Sequence, residues 1–204
     1  MGSFRRRGRV APPLTIGLTG GIAAGKSEAL AAFGRLGAAT LSSDAVVHDL
    51  LESESFRAEF AERWGPEVAP PGAPTDRGKI GGIVFADPAE LSWLESQIHP
   101  LVGAETAAWI AGLPADTEFA VIEVPLLFEG GRESAFDTTV SIVAAEDVRR
   151  ERAGARGHAL VDAREARQLT QEEKADRAEH VVVNDGSVAD LEAALSALLA
   201  KLQG

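Results

Sequence analysis

A glycine-rich stretch near the start of the chain has the spacing of a phosphate-binding loop. It reads Gly20-Gly21-Ile22-Ala23-Ala24-Gly25-Lys26-Ser27, which matches the pattern Gly-x-x-x-x-Gly-Lys-Ser. Glycines let backbone amides turn toward phosphate oxygens, and a following helix adds positive potential. Lys26 would reach the outer phosphates and the Ser27 hydroxyl would bind Mg²⁺. Because an apolar run precedes the pattern and a helical pattern follows it, we interpret it as a nucleotide-binding loop rather than a glycine-rich turn.

Two carboxylates are placed to act near that loop if the flanking apolar runs form parallel strands. Asp44 follows one apolar run, and Glu123 lies at the end of another. The carboxyl ends of parallel strands face one crevice, where Asp44 could accept a hydroxyl proton and Glu123 could support Mg²⁺ through water. Each also has a structural interpretation: Asp44 could cap a helix beginning at Ala45, and Glu123 could be a partly solvated strand end.

Arginines cluster in the second half of the chain, at Arg149, Arg150, Arg152, Arg156, Arg164 and Arg167. Arg152 and Arg156 are four residues apart, so on a helix they would share a face that could close over phosphates. The alternative is a solvated helix face paired with neighbouring carboxylates. Mobile arginines of this kind neutralise charge during phosphoryl transfer, which favours a small-molecule kinase.

Other classes of chemistry are poorly represented in the sequence. The chain has no Cys, which excludes disulfides, thiolate zinc sites and cysteine nucleophiles. Its four His are scattered without metal-ligand spacing. Asp-x-x-Gly is absent, and the one Asn is not followed by Lys, so a guanine-nucleotide switch is disfavoured. The net charge of −11 disfavours non-specific binding to nucleic acid or anionic membranes.

Alternating strand-like and helix-like runs predict the scaffold that positions these residues. The apolar β-rich runs are 14–18, 39–41, 119–124, 138–143 and 180–183, and the helical patterns are 26–36, 88 toward 112, 146–156, 162–175 and 187–202. Short strands separated by helices imply a mainly parallel five-stranded sheet in a three-layer α/β/α fold. The stretch between the second and third strands, with its turn-rich part at 65–82, is too long for a simple crossover. It predicts a helical insertion that covers a ligand, or a plain structural excursion.

The chain resembles the dephospho-CoA kinase family, whose members use ATP to phosphorylate the ribose 3′-hydroxyl of dephospho-CoA in the last step of coenzyme A synthesis. The resemblance runs from Leu14 to near the C-terminus. It is carried by Leu18-Thr19-Gly20-Gly21-Ile22, Leu36-Gly37, Asp44, Asp76-Arg77, Val84-Phe85, His99-Pro100-Leu101, Val124-Pro125-Leu126-Leu127-Phe128-Glu129, Arg152 with Arg156, Gln168 and Asn184-Asp185-Gly186. The residues just before the loop and those just after the third strand are the most specific to this family. The resemblance implies a P-loop NTPase fold, ATP and Mg²⁺ as cofactors, and dephospho-CoA as the substrate.

The family pattern also implies individual roles. Asp44 would be the catalytic base, acting with Lys26 and Arg152. Nucleotide binding would fall to Gly21, Ile22, Ala23, Ala24, Gly25, Lys26, Ser27, Glu28, Arg156, Asn184 and Gly186, with Ser27 as the metal ligand. Acceptor binding would fall to Asp44, Arg77, His99, Pro125 and Leu126.

The resemblance further implies a division of the chain. The basic run at 5–9, followed by Pro12 and Pro13, predicts a flexible basic extension over residues 1–13. The resemblance implies that 14–204 is a single kinase domain with an acceptor-binding insertion at about 45–117 and a lid at about 146–175. We expect a cytoplasmic monomer that binds neither nucleic acid nor membranes.

The sequence departs from the family pattern at four places. Ser42 stands where an acidic residue is usual, Glu28 where threonine is usual, Ala23-Ala24 where Gly-Ser or Ala-Ser is common, and Ala178-Glu179 where Ala-Asp is usual. Two other functions therefore stay open: a P-loop kinase for another nucleoside or nucleotide, and a nucleotide-binding regulator without turnover. Ser42 and the basic N-terminus favour the regulator mildly, whereas the intact Asp44 and the paired arginines oppose it.

Overall fold

The computed structural model describes residues 12–154 and 168–203, which form two compact units. The first unit takes its described residues from Met1–Ser42 and Leu113–Gly204, and the second is Ser43–Gly112. Within these described ranges, no helix combines the length and the apolar character needed to cross a membrane.

A parallel sheet is the centre of the first unit. Its strands are β1 (Leu14–Gly20), β2 (Ala39–Ser42), β3 (Phe119–Glu123), β4 (Thr138–Val143) and β5 (His180–Val183). The order is β2-β3-β1-β4-β5, and every neighbouring pair is parallel. This confirms the predicted five-stranded α/β fold. The central strands are short apolar runs because both of their faces are buried.

Four α-helices in the described part of this unit accompany the sheet: α1 (Lys26–Arg35), α6 (Glu146–Gly154), α7 (Gln171–Arg177) and α8 (Val188–Gln203). Helices α1 and α8 share one hydrophobic core with Ile16, Leu18, Val140 and Ile142 of the sheet. Successive strand residues point to opposite faces, and the Gly17 backbone faces Phe136 and Leu127 on the other side. The sheet is therefore covered on both faces.

The second unit is helical, with α2 (Ser43–Glu52), α3 (Glu54–Trp64), α4 (Arg77–Ala86) and α5 (Pro88–Ala111). Its core includes stacked and edge-on aromatic rings, in which Phe60 lies 5.1 Å from Trp64 and Trp64 lies 5.2 Å from Trp93 between ring centroids. Side chains of Ser53, Asp76 and Asp87 cap the N-termini of α3, α4 and α5. Such caps satisfy backbone amides that have no partner inside a helix.

Several predicted boundaries differ from the structure, and three of the differences concern where helices begin. Helix α2 begins at Ser43 rather than Ala45. The turn-rich stretch at 65–82 contains the start of α4, because the Asp76 carboxylate accepts the Lys79 amide 3.0 Å away. The helix predicted at 162–175 is wrong at 168–170, which are not helical, because a capping box at Thr170 starts α7 there. The remainder of that prediction, at 162–167, lies outside the described residues.

Candidate active site

The glycine-rich loop joins β1 to α1, as the sequence predicted. Gly20 has a φ of 148° and Gly25 a φ of 96°. A Cβ at Gly20 would collide with the Ile142 carbonyl, and one at Gly25 with the Asn184 side chain. Among the described residues, no side chain caps the N-terminus of α1. The amides at this helix end, together with the close-packed glycines, make a cradle that fits phosphate oxygens.

Lys26 and Ser27 lie on the first turn of α1, at the end of this cradle. The Lys26 ammonium donates to the Gly21 carbonyl at 2.9 Å and to the Gly20 carbonyl at 3.2 Å. Ser27 is exposed. The Glu28 carboxylate instead pairs with Arg35 at 2.9 Å, so its side chain is directed along α1 and away from the loop.

Polar groups from other elements form hydrogen bonds with the loop and with each other. The Asn184 side-chain amide donates to the Ala24 carbonyl at 2.8 Å, and Arg152 donates to the Asn184 carbonyl at 3.0 Å. Arg149 donates from Nε to the Ile22 carbonyl at 2.9 Å. The structure therefore brings Arg152 and Asn184 to the loop. Sequence reasoning did not select Arg149, although its spacing of three from Arg152 on one helix was a usable signal.

The segment that follows β3 is fixed by a buried ion pair. The Pro125 carbonyl accepts Lys174 Nζ at 2.8 Å and the Thr19 hydroxyl at 3.3 Å. Lys174 also lies 3.1 Å from Glu129 Oε1, and its side chain is fully buried. Burial lowers the pKa of the Lys174 ammonium, and Glu129 opposes that shift. This arrangement leaves Leu126, 43% exposed, on the surface of the segment; sequence reasoning missed Lys174.

Four further predicted site residues lie in or beside α2, α4, α5 and β5. Asp44 is the exposed second residue of α2, so it is not the helix cap that one interpretation proposed. Arg77 is the exposed first residue of α4, and His99 is exposed within α5. Gly186 is exposed after β5, where a Cβ would collide with the Asp190 carboxylate. Arg156 lies outside the described residues.

Glu123 is 8% exposed at the end of β3, in register with Leu18 and Ser42. The alternative of a partly solvated strand end is therefore wrong. In the described ranges, no group of three or more His, Asp or Glu is arranged to hold a metal ion. Mg²⁺ commonly takes only one or two protein oxygens and completes its shell with phosphates and waters. The exposed Ser27 hydroxyl beside the phosphate cradle fits that mode.

Comparison with known proteins adds independent findings. The family model for dephospho-CoA kinase matches residues 14–190. The dephospho-CoA kinase of Anaeromyxobacter dehalogenans is 41% identical over 194 residues, which cover 93% of this chain and 92% of that protein. The crystal structure of TT1252 from Thermus thermophilus has a TM-score of 0.80 at 36% identity, covering 95% of this chain and 100% of that one. The dephospho-CoA kinase from Campylobacter jejuni, at 23% identity, shares the fold with a TM-score of 0.69 over 92% and 96% of the two chains.

Proposed function

The chain belongs to the dephospho-CoA kinase family, and on that premise we propose how its residues divide the reaction. The activity is the last step of coenzyme A biosynthesis, the phosphorylation of dephospho-CoA. We propose ATP as the phosphoryl donor. The observation that carries this proposal is the glycine cradle at the uncapped start of α1, with Lys26 on its first turn and the Arg152 guanidinium close to Gly25.

In the proposed reaction, the ribose 3′-oxygen of dephospho-CoA bonds to the γ-phosphorus of ATP while the bond to the β–γ bridging oxygen breaks. ADP leaves with that electron pair, and the hydroxyl proton passes to the Asp44 carboxylate. Lys26 and Arg152 stabilise the negative charge that is redistributed over the phosphates. Mg²⁺ bound through Ser27 would supply further positive charge to those phosphates.

We propose that the acceptor is held by residues carried over from the family pattern. Arg77 and His99 belong to the insertion at about 45–117, and Pro125 and Leu126 follow β3. The buried Lys174–Glu129 pair supports this assignment because it fixes the backbone that presents Leu126. The segment at about 146–175 would cover the nucleotide, with Arg152 and Arg156 as its cations, while Asn184 and Gly186 would lie near the adenine.

The setting of this chemistry is also a proposal. The substrates are small soluble nucleotides, and a chain without Cys is compatible with a reducing compartment. We therefore place the protein in the cytoplasm, as a monomer whose partner is dephospho-CoA.

Substitution of the loop lysine tests the donor site. Lys26→Ala should lower kcat by about 10²-fold or more, because a cation is lost where transition-state charge develops. The fold should survive, since Lys26 is only half-buried and is not a core residue. Steady-state assays with ATP, Mg²⁺ and dephospho-CoA measure kcat, and circular dichroism measures whether the variant is folded. A folded Lys26→Ala variant with wild-type turnover would contradict the assignment of this loop.

A further inference from the structure

We propose that Arg149 and Asn184 are positioning residues, which hold two carbonyls of the phosphate-binding loop from outside and thereby aim the following amides into it. This inference rests on the proposed function, because it presumes that nucleotide phosphates bind the loop. It gives Asn184 a role distinct from proximity to adenine, and it gives Arg149 a role that the family pattern did not imply.

Arg149 and Asn184 contact two peptide groups of the loop that are separated by one other peptide group. Arg149 Nε lies 2.9 Å from the Ile22 carbonyl oxygen, and Asn184 Nδ2 lies 2.8 Å from the Ala24 carbonyl oxygen. A trans peptide group is planar, and its carbonyl and its N–H point in opposite directions. Donors that pull these carbonyls outward therefore turn the amides of Ala23 and Gly25 to the opposite side, toward the interior of the loop.

The backbone dihedrals agree with this arrangement. Ala23 has a φ of 58° and Gly25 a φ of 96°, so both adopt the left-handed region. Ala23 is the one non-glycine residue with positive φ among those described, a conformation that is costly for a residue with a Cβ and needs support from its surroundings. Successive amides in such mixed-handed turns form concave anion-binding nests. The amide between them, that of Ala24, closes the turn on the Gly21 carbonyl at 3.2 Å.

Asn184 is itself held at both ends of its backbone. Its N–H donates to the Val143 carbonyl at 2.8 Å, and its carbonyl accepts Arg152 Nη1 at 3.0 Å. The residue is 5% exposed. Its side-chain amide is therefore a fixed donor anchored to the end of β4, whereas an aspartate of the same shape could not donate.

Arg149 holds the loop from α6, whereas Asn184 follows β5, and its hydrogen-bond donor is charged. It lies on α6, is half-buried, and reaches a carbonyl 127 positions away in sequence. Hydrogen bonds from charged donors are stronger than those between neutral groups. The neighbouring Arg150 provides a matched control, because its side chain is 77% exposed and pairs with Glu146 on the same helix.

The test measures the affinity of the full chain for ADP and for adenosine by calorimetry. Arg149→Gln and Asn184→Asp should each weaken ADP about tenfold or more, the loss expected for one such hydrogen bond. Adenosine, which has no phosphates, should bind Arg149→Gln as tightly as it binds the wild type. Arg149→Lys, which keeps a charged donor, should recover part of the loss, and Arg150→Gln should match the wild type.

Steady-state kinetics supply a second readout. The variants should raise KM for ATP while leaving KM for dephospho-CoA unchanged at saturating ATP. Equal losses for ADP and adenosine in Arg149→Gln would overturn the inference, because they would indicate a contact to the base. Equal losses in Arg149→Gln and Arg150→Gln would overturn it as well, since they would reflect charge alone. If Asn184→Asp fails to fold, the Arg149 variants decide the question. A wild type that does not bind ADP would instead refute the proposed function.

Discussion

Single residues of the first unit hold the loop through contacts that span most of the chain. Asn184 and Ala24 are 160 positions apart, and Arg149 and Ile22 are 127 apart. The loop itself was predictable, because its residues are contiguous and their spacing is typical of a phosphate-binding loop. The side chains that donate hydrogen bonds to the loop, Arg149 and Asn184, were not predictable. Only the pairing of β4 with β1 and β5 brings them to the loop.

A conservative substitution tests the proposed base. Asp44→Asn keeps the size of the side chain but removes the proton acceptor, so kcat should fall by about 10²–10⁴-fold. Asp44 is exposed, and thermal unfolding should change little. Rapid-quench measurement of the chemical step checks the prediction. Loss of stability with unchanged turnover would assign Asp44 a purely structural part in α2.

The buried ion pair provides a test of stability. Glu129→Gln leaves the fully buried Lys174 ammonium without its carboxylate, which should destabilise the fold by about 3–5 kcal/mol. Lys174→Met combined with Glu129→Gln should recover much of that loss, because the uncompensated charge is also removed. Urea unfolding followed by far-ultraviolet circular dichroism measures the coupling. Strictly additive effects would contradict a direct interaction between the two side chains.

At the scale of elements, helix starts depend on side chains that accept the first backbone amides. The β-strands were predicted closely because each is a short apolar run bounded by turn residues. The start of α7 was missed, although Thr170 and Glu173 have the spacing of a capping box. The start of α4 was missed because Asp76 lies among prolines and glycines that suggested a continuous turn.

Helices α2 and α3 are joined to the start of α4 through Glu52. Its carboxylate accepts the Thr75 amide at 3.0 and 3.1 Å and pairs with Arg57 at 3.3 Å. The Thr75 amide is the main cause that lowers the pKa of Glu52 from its ordinary 4.5. A lowered folded-state pKa favours the ionised form in the native state. Its stabilisation is therefore present above pH 4.5 and is lost as the pH falls through the folded-state pKa.

Glu52→Gln should consequently be less stable than the wild type at neutral pH, and the difference should shrink as the pH falls below 4.5. Tryptophan fluorescence during urea unfolding measures it within the second unit. Exposed Asp49→Asn, on the same helix, is the control. A difference that stays constant with pH would show that the Glu52 contacts do not involve its charge.

At the scale of the whole molecule, tryptophan fluorescence and circular dichroism report on different parts of the chain. All three Trp of the chain lie in the second unit, and the chain has no Tyr. Fluorescence therefore follows the second unit, while circular dichroism follows both. The absence of Cys excluded Cys-dependent chemistry, and the net charge disfavoured non-specific binding to nucleic acid or anionic membranes, because both are properties of the entire chain. Composition could not identify the phosphoryl acceptor, which was inferred from the family pattern.

The identity of the product tests the proposed reaction most directly. Purified protein is given ATP, Mg²⁺ and equal concentrations of dephospho-CoA, AMP and adenosine, and the products are identified by mass spectrometry and phosphorus NMR. We predict one new phosphate on dephospho-CoA, at the ribose 3′ position, with one ADP formed for each CoA. Dephospho-CoA should be strongly preferred, because its remote pantetheine and diphosphate groups supply binding energy that orients the ribose hydroxyl. Preferential phosphorylation of AMP or adenosine, or a phosphate at any other position, would contradict the account.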